Sequence, residues 1–168
     1  MTIKVGDRLP DGVLTESTEF DSATQCAMPP KDVRVSEAVK GKKIVIFGLP
    51  GAYTPTCSAK HVPSYRDNFD KFKAKGVDEI WCVAVNDGFV MAHWGRDEKA
   101  LGKIRFLGDG SGAWTRALGL ELDLSARGMG LRMQRFSMLV EDGVVKKLNI
   151  EAPGKFEVSG GETMLAQL

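Results

Sequence analysis

The sequence predicts an α/β chain with a central mixed sheet flanked by helices, and three observations carry that prediction. Two β-branched runs without polar alternation, residues 43–48 and 79–85, read as strands covered on both faces. Helical spacing of apolar residues follows each of them. Near the end, residues 135–140 and 144–150 flank Glu141-Asp142-Gly143, and Asp-Gly between two strand-like runs marks an antiparallel hairpin.

Taken in order, residues 6–30 are polar and turn-rich, with a short strand over 12–17, and form an N-terminal extension packed on the edge of the domain. Ser36 is placed to cap a short helix over 37–40, closed by Gly41. After the strand at 43–48, Val62, Tyr65, Phe69 and Phe72 recur at spacings of three and four, which predicts a helix over 56–75 ended by Gly76. Pro63 lies inside it and should kink it, because it lacks an N–H and crowds the carbonyl four residues back. After the second strand, Asn86-Asp87-Gly88 turns the chain into a helix over 89–101, ended by Gly102. A short strand at 105–107, a glycine-rich turn at 108–112, a short helix at 113–118, the hairpin and a terminal helix over 162–168 complete the chain. This order, strand and helix alternating in front with a hairpin and helix behind, is that of the thioredoxin-like fold, with residues 1–168 as one domain.

Composition narrows the function. The 168 residues carry 43% apolar content, enough to bury a core without disulfides or a structural metal. Lys and Arg number 23 against 22 Asp and Glu, so there is no bulk basic field to recruit nucleic acid or an anionic membrane. The N-terminus lacks the apolar run of a signal peptide, and the expected compartment is the cytoplasm. Cys26, Cys57 and Cys82 form no C-x-x-C pair, and only His61 and His93 accompany them, which argues against a zinc site and a disulfide framework.

The chemistry concentrates at the first strand-to-helix junction, Gly48-Leu49-Pro50-Gly51-Ala52-Tyr53-Thr54-Pro55-Thr56-Cys57-Ser58. Free cysteine, with a pKa of about 8.5, is only slightly ionised at neutral pH, and each unit of depression asks about 1.4 kcal/mol of preferential thiolate stabilisation. A helix start supplies unpaired N–H groups and the positive end of the dipole, so Cys57 is a candidate nucleophile. The cation that would complete such a site does not follow from spacing. His61, one turn beyond Cys57, reads either as a group that lowers the thiol pKa or as a partly packed helix residue. Phe89 and Trp94 read as core or interface aromatics.

The P-x-x-x-T-x-x-C run from Pro50 to Cys57 resembles the peroxidatic-cysteine signature of the peroxiredoxins. With Val85-Asn86-Asp87, Phe89 and Arg135-Phe136-Ser137-Met138, the chain is similar to their atypical type II, or type five, branch over almost its whole length from Gly6. The resemblance implies a thiol peroxidase for hydrogen peroxide and alkyl hydroperoxides, without metal, haem or flavin, in which Cys57 attacks the O–O bond and becomes a sulfenic acid. It further implies that Thr54 donates or accepts at the peroxide oxygens, Pro50 shields the sulfur from water, and Arg135 holds thiolate and substrate. The Arg-Phe-Ser-Met string favours Arg135 over its neighbour Arg132. Cys82 stands 25 residues after Cys57, where plant-like members carry a second cysteine; it reads either as the resolving thiol or as an inert thiol inside a strand. No cysteine follows it, which leaves glutathione, with glutaredoxin or thioredoxin, as the external route of reduction. A homodimer is implied as well. Two other readings stay open: a thioredoxin-fold disulfide reductase, which Cys57-Ser58-Ala59-Lys60 disfavours for want of a second thiol, and a non-enzymatic redox-binding or chaperone module.

Overall fold

A computed structural model describes residues 1–168. Its main sheet has seven strands: β1 Val13–Glu16, β2 Lys31–Arg34, β3 Lys43–Gly48, β4 Glu79–Ala84, β5 Arg105–Gly108, β8 Phe136–Glu141 and β9 Val144–Ile150, in the order β2-β1-β5-β4-β3-β8-β9. The centre, β5-β4-β3, is parallel, and both flanks are antiparallel. The middle strands are apolar along their whole length because both faces are covered: five consecutive residues of β3 and five of β4 are buried. The Asp142-Gly143 hairpin forms as expected, with both residues at positive φ (47° and 78°), the geometry of a type I′ turn.

One face packs Ile44, Ile46, Trp81, Val83, Leu107 and Trp114 in one cluster; the other packs Val45, Phe47, Tyr65, Phe72, Trp94 and Phe106 in a second. Cys57 and Cys82 both belong to the second. No helix is long and apolar enough to cross a membrane. Gly48 ends β3 where the chain leaves for the junction loop, and a Cβ there would collide with the Phe136 ring and the Met133 sulfur. Only glycine lets the loop depart so close to β8.

Several local expectations need correction. The helix over 56–75 is not one kinked helix but three pieces: a π-helical turn Cys57–His61, α2 Val62–Arg66 and α3 Phe69–Ala74, separated at Asp67-Asn68. Val62 N–H bonds back to the Cys57 carbonyl, five residues earlier, immediately before Pro63, which has no N–H to continue an α ladder. Ser36 is not a cap: α1 Val35–Ala38 contains it, and its N–H is received by Asp11 Oδ1 at 3.0 Å from 25 residues upstream. Helix α4 runs Gly88–Asp97, shorter than 89–101, and is capped by the Asp87 carboxylate on Val90 N–H at 2.9 Å. Helix α5 is Ala113–Leu118 as expected, and α6, Gly161–Ala166, ends two residues short of the terminus. Strand β2 and the small antiparallel pair β6 Glu121–Leu124 and β7 Gly130–Met133 were not among the expected elements. Glu121-Leu122-Asp123-Leu124 does alternate with period two and carries a strand signal.

Candidate active site

The site sits at the ends of β3 and β8, which leave the sheet side by side with Gly48 opposite Phe136. From Gly48 the chain crosses the loop to Thr54 and enters a helix at Pro55, where a missing N–H costs nothing and φ is already helical. The Thr54 carbonyl receives Ser58 N–H at 3.0 Å, which places Cys57 in the first turn, among N–H groups without acceptors in the helix itself.

The loop is fixed from several sides. Asn86 Oδ1 receives Ala52 N–H at 2.9 Å, and Arg132 Nη1 donates to the Pro50 carbonyl at 3.2 Å. Tyr53, at φ 64°, donates its hydroxyl to Asp97 at 2.7 Å, and Trp94 Nε1 donates to Ser58 Oγ at 3.0 Å. Thr54 Oγ1 donates to the Gly51 carbonyl at 2.8 Å. Its single hydrogen is thereby used, and its lone pairs remain for a proton-bearing ligand atom.

Cys57 is fully buried, and Arg135 reaches it from the residue before β8, with Nη2 3.1 Å from Sγ. A permanent cation at that distance is a fixed, charged donor to the sulfur. The other end of the guanidinium, Nη1, lies 2.9 Å from His61 Nδ1, while His61 Nε2 lies 3.0 Å from the Ser159 carbonyl. A carbonyl only accepts and a guanidinium only donates, so His61 is the neutral Nε2–H tautomer. Burial, aided by Arg135, brings its pKa down to about 3, although the Ser159 carbonyl opposes that shift. His61 is packed within the helical turn, as one of its two readings has it, but fully rather than partly, and its ring contacts Arg135.

Pro50, Thr56 and Arg135 line a pocket of about 240 Å³ with Gln134 and Lys155, and Thr54 lines an adjoining one under Leu124 and Met129 of the β6–β7 hairpin region. Pro50, Thr54, Cys57 and Arg135 are thus brought together. The two neighbouring arginines have different partners, since Arg132 binds loop backbone and Arg135 binds the sulfur. Cys82 lies fully buried in β4, in a cluster shared with Cys57 but unbonded to it. Burial first, and the neighbouring Cys57 second, push its thiol pKa well up. Cys26 is exposed on the extension.

Sequence reasoning missed Glu151, which is buried, and the role of Ser159. The only hint was a carboxylate ending a strand just before a Pro-Gly turn.

The family model described as Redoxin matches residues 4–165, so the chain belongs to the redoxin family of thioredoxin-fold proteins. Peroxiredoxin-2C of Oryza sativa subsp. japonica is 46% identical over 99% of this chain and 98% of its own. Reduced Prx3 of Vibrio vulnificus in complex with H2O2 is 45% identical, with a TM-score of 0.90 over 99% of each chain. A Burkholderia cenocepacia structure, provisionally described as a thioredoxin reductase, is 55% identical, with a TM-score of 0.94 over 100% of this chain and 99% of that one. Within the redoxins the chain is a peroxiredoxin, a thiol-dependent peroxidase that works through a peroxidatic cysteine.

Proposed function

We propose that Cys57 is that cysteine and that an external thiol reduces it. What carries the assignment is Arg135 Nη2 at 3.1 Å from Cys57 Sγ, with Arg135 and Pro50 both lining the adjoining pocket. The Cys57 thiolate attacks one oxygen of a hydroperoxide. An S–O bond forms, the O–O bond breaks, and the departing oxygen leaves with a proton as water or an alcohol. Charge grows on that oxygen in the transition state, where the guanidinium is already fixed and needs no reorganisation. Thr54 Oγ1 accepts from the peroxide O–H, and Pro50 keeps bulk water from the sulfur.

The sulfenic acid is then attacked by a small thiol of the glutathione class. An S–S bond forms, hydroxide leaves and is protonated to water, and a second thiol displaces the Cys57 thiolate from the mixed disulfide. Glutaredoxin or thioredoxin can supply that second thiol. Burial of Cys82 in a central strand, with its thiol pKa raised, supports this route over an internal disulfide. Exposed Tyr53 and Phe89, in the junction loop and at the start of α4, support a homodimer, and three unpaired cysteines suit a reducing cytoplasm.

Stopped-flow mixing of reduced protein with micromolar hydrogen peroxide tests the assignment. One thiol per chain should be lost rapidly and none in Cys57→Ser. A Cys57 thiol no faster than free cysteine overturns it. In a reductant panel, turnover with glutathione and glutaredoxin is expected; turnover with neither these nor thioredoxin overturns the external route.

A further inference from the structure

Residues 152–158 form an exposed loop apart from half-buried Phe156, yet both ends of the loop are buried and polar. Glu151 is 6% exposed and collects four donors: the N–H groups of Glu157 at 2.9 Å, Val158 at 2.9 Å and Ser159 at 2.8 Å, and Ser159 Oγ at 2.7 Å. Ser159 in turn offers its carbonyl to His61 Nε2 at 3.0 Å and to the Tyr65 hydroxyl at 2.7 Å. At its other end, Glu151 N–H donates to the Arg135 carbonyl at 2.9 Å.

These contacts close a circuit. Arg135 is held at its backbone by Glu151 N–H, and its guanidinium is held by His61, whose ring is held by Ser159, whose backbone is held by the Glu151 carboxylate. Building on the roles proposed for Cys57 and Arg135, we infer that Glu151 is a positioning residue for the peroxidase reaction: it fixes the Ser159 carbonyl, which selects the Nε2–H tautomer of His61 and so aims Arg135 at Cys57.

The loop depends on acceptors. All four donors converge on Glu151 Oε2, and the Glu157 N–H is shared with Oε1 at 3.0 Å, so a full negative charge gathers the loop backbone on one buried side chain and the loop closes in one way. Burial alone would raise the Glu151 carboxyl, but the four donors, led by the Ser159 hydroxyl, together hold it below its ordinary range. An amide at this position keeps one acceptor oxygen but no charge, so four donors would crowd a weaker acceptor and the NH2 would face the Glu157 N–H. The Ser159 backbone would then be held more weakly, and His61 could turn an N–H toward Arg135, which the guanidinium cannot accept.

The test is Glu151→Gln, read by three measurements. The rate constant of Cys57 with hydrogen peroxide should fall about 10- to 100-fold, the scale of a misplaced catalytic contact. Histidine 15N spectra, with His61 distinguished from His93 by His61→Asn, should change from a single Nε2–H tautomer to a mixture. Thermal unfolding should show that the variant is folded, and Glu157→Ala, which alters an exposed side chain and keeps the backbone donor, should match native protein throughout. A folded Glu151→Gln with a rate within about twofold of native overturns the inference, and so does a rate loss with an unchanged His61 tautomer. Should that variant fail to fold, Ser159→Ala removes one of the four donors and is read in the same way: a smaller shift in rate and tautomer supports the inference, and none overturns it. Cys57→Ser in the same assay separates this outcome from failure of the proposed function itself.

Discussion

Arg135 serves the sulfur with one nitrogen and is itself held by another, and that division makes it hard to replace. Arg135→Lys keeps the charge but offers one point donor on a flexible stem, which cannot reach Cys57 Sγ and His61 Nδ1 together. The rate constant with hydrogen peroxide is expected to fall about 100-fold or more, the scale seen when a fixed charge-stabilising donor is removed, and stopped-flow fluorescence or competition with a reference peroxidase measures it. Cys82 gives the opposite expectation. With its thiol fully buried, Cys82→Ser should retain full glutathione-dependent turnover, and intact mass after one equivalent of peroxide should show a sulfenic acid or a glutathione adduct on Cys57 with no internal disulfide. An internal disulfide in the native protein would instead return Cys82 to the cycle.

At the scale of elements, three interior strands of the sheet, β1, β5 and β4, are tied by charge. Arg105 of β5 donates to Glu16 of β1 at 2.8 Å and to Glu79 of β4 at 2.8 Å, and Lys42 reaches the other oxygen of Glu79 at 2.6 Å. Burial alone would raise the Glu79 carboxyl, but hydrogen bonds from Lys42, Trp81 and Arg105 together bring it down to about 2. A carboxyl depressed on folding stabilises the protein fully above its unfolded value, and that contribution disappears as pH falls from the unfolded value toward about 2. His61 adds to the same trend from a higher pH, since a histidine held neutral at a pKa of about 3 binds its proton more readily once unfolded. Denaturant midpoints should therefore decline as pH drops from about 6.5, and Glu79→Gln should flatten the lower part of that decline.

The same scale shows what was legible in the sequence. The strands covered on both faces, the Asp-Gly hairpin and the apolar stripe of the helical region were legible because each rests on local periodicity. The π turn after Cys57 was not, since it depends on how the chain meets Pro63 and the sheet beneath it. Strand β2, Lys31-Asp32-Val33-Arg34, carries almost no apolar signal because it lies at the sheet edge, largely exposed, and is defined by pairing with β1. The Cys57 loop could be read from its motif. The Glu151 to Arg135 circuit could not, because its members are joined through backbone carbonyls and N–H groups, which every residue possesses and no sequence pattern marks.

For the molecule as a whole, the reactive pair is assembled from loops that leave adjacent strands of one sheet while standing 78 residues apart in the chain. During synthesis at roughly 5–20 residues per second, Cys57 leaves the ribosome several seconds before Arg135 exists. Over that interval the nascent polypeptide carries a thiol without its guanidinium partner, which arrives only when β8 docks beside β3. On the assignment proposed for Cys57, the site is thus completed only late in synthesis, by the finished fold.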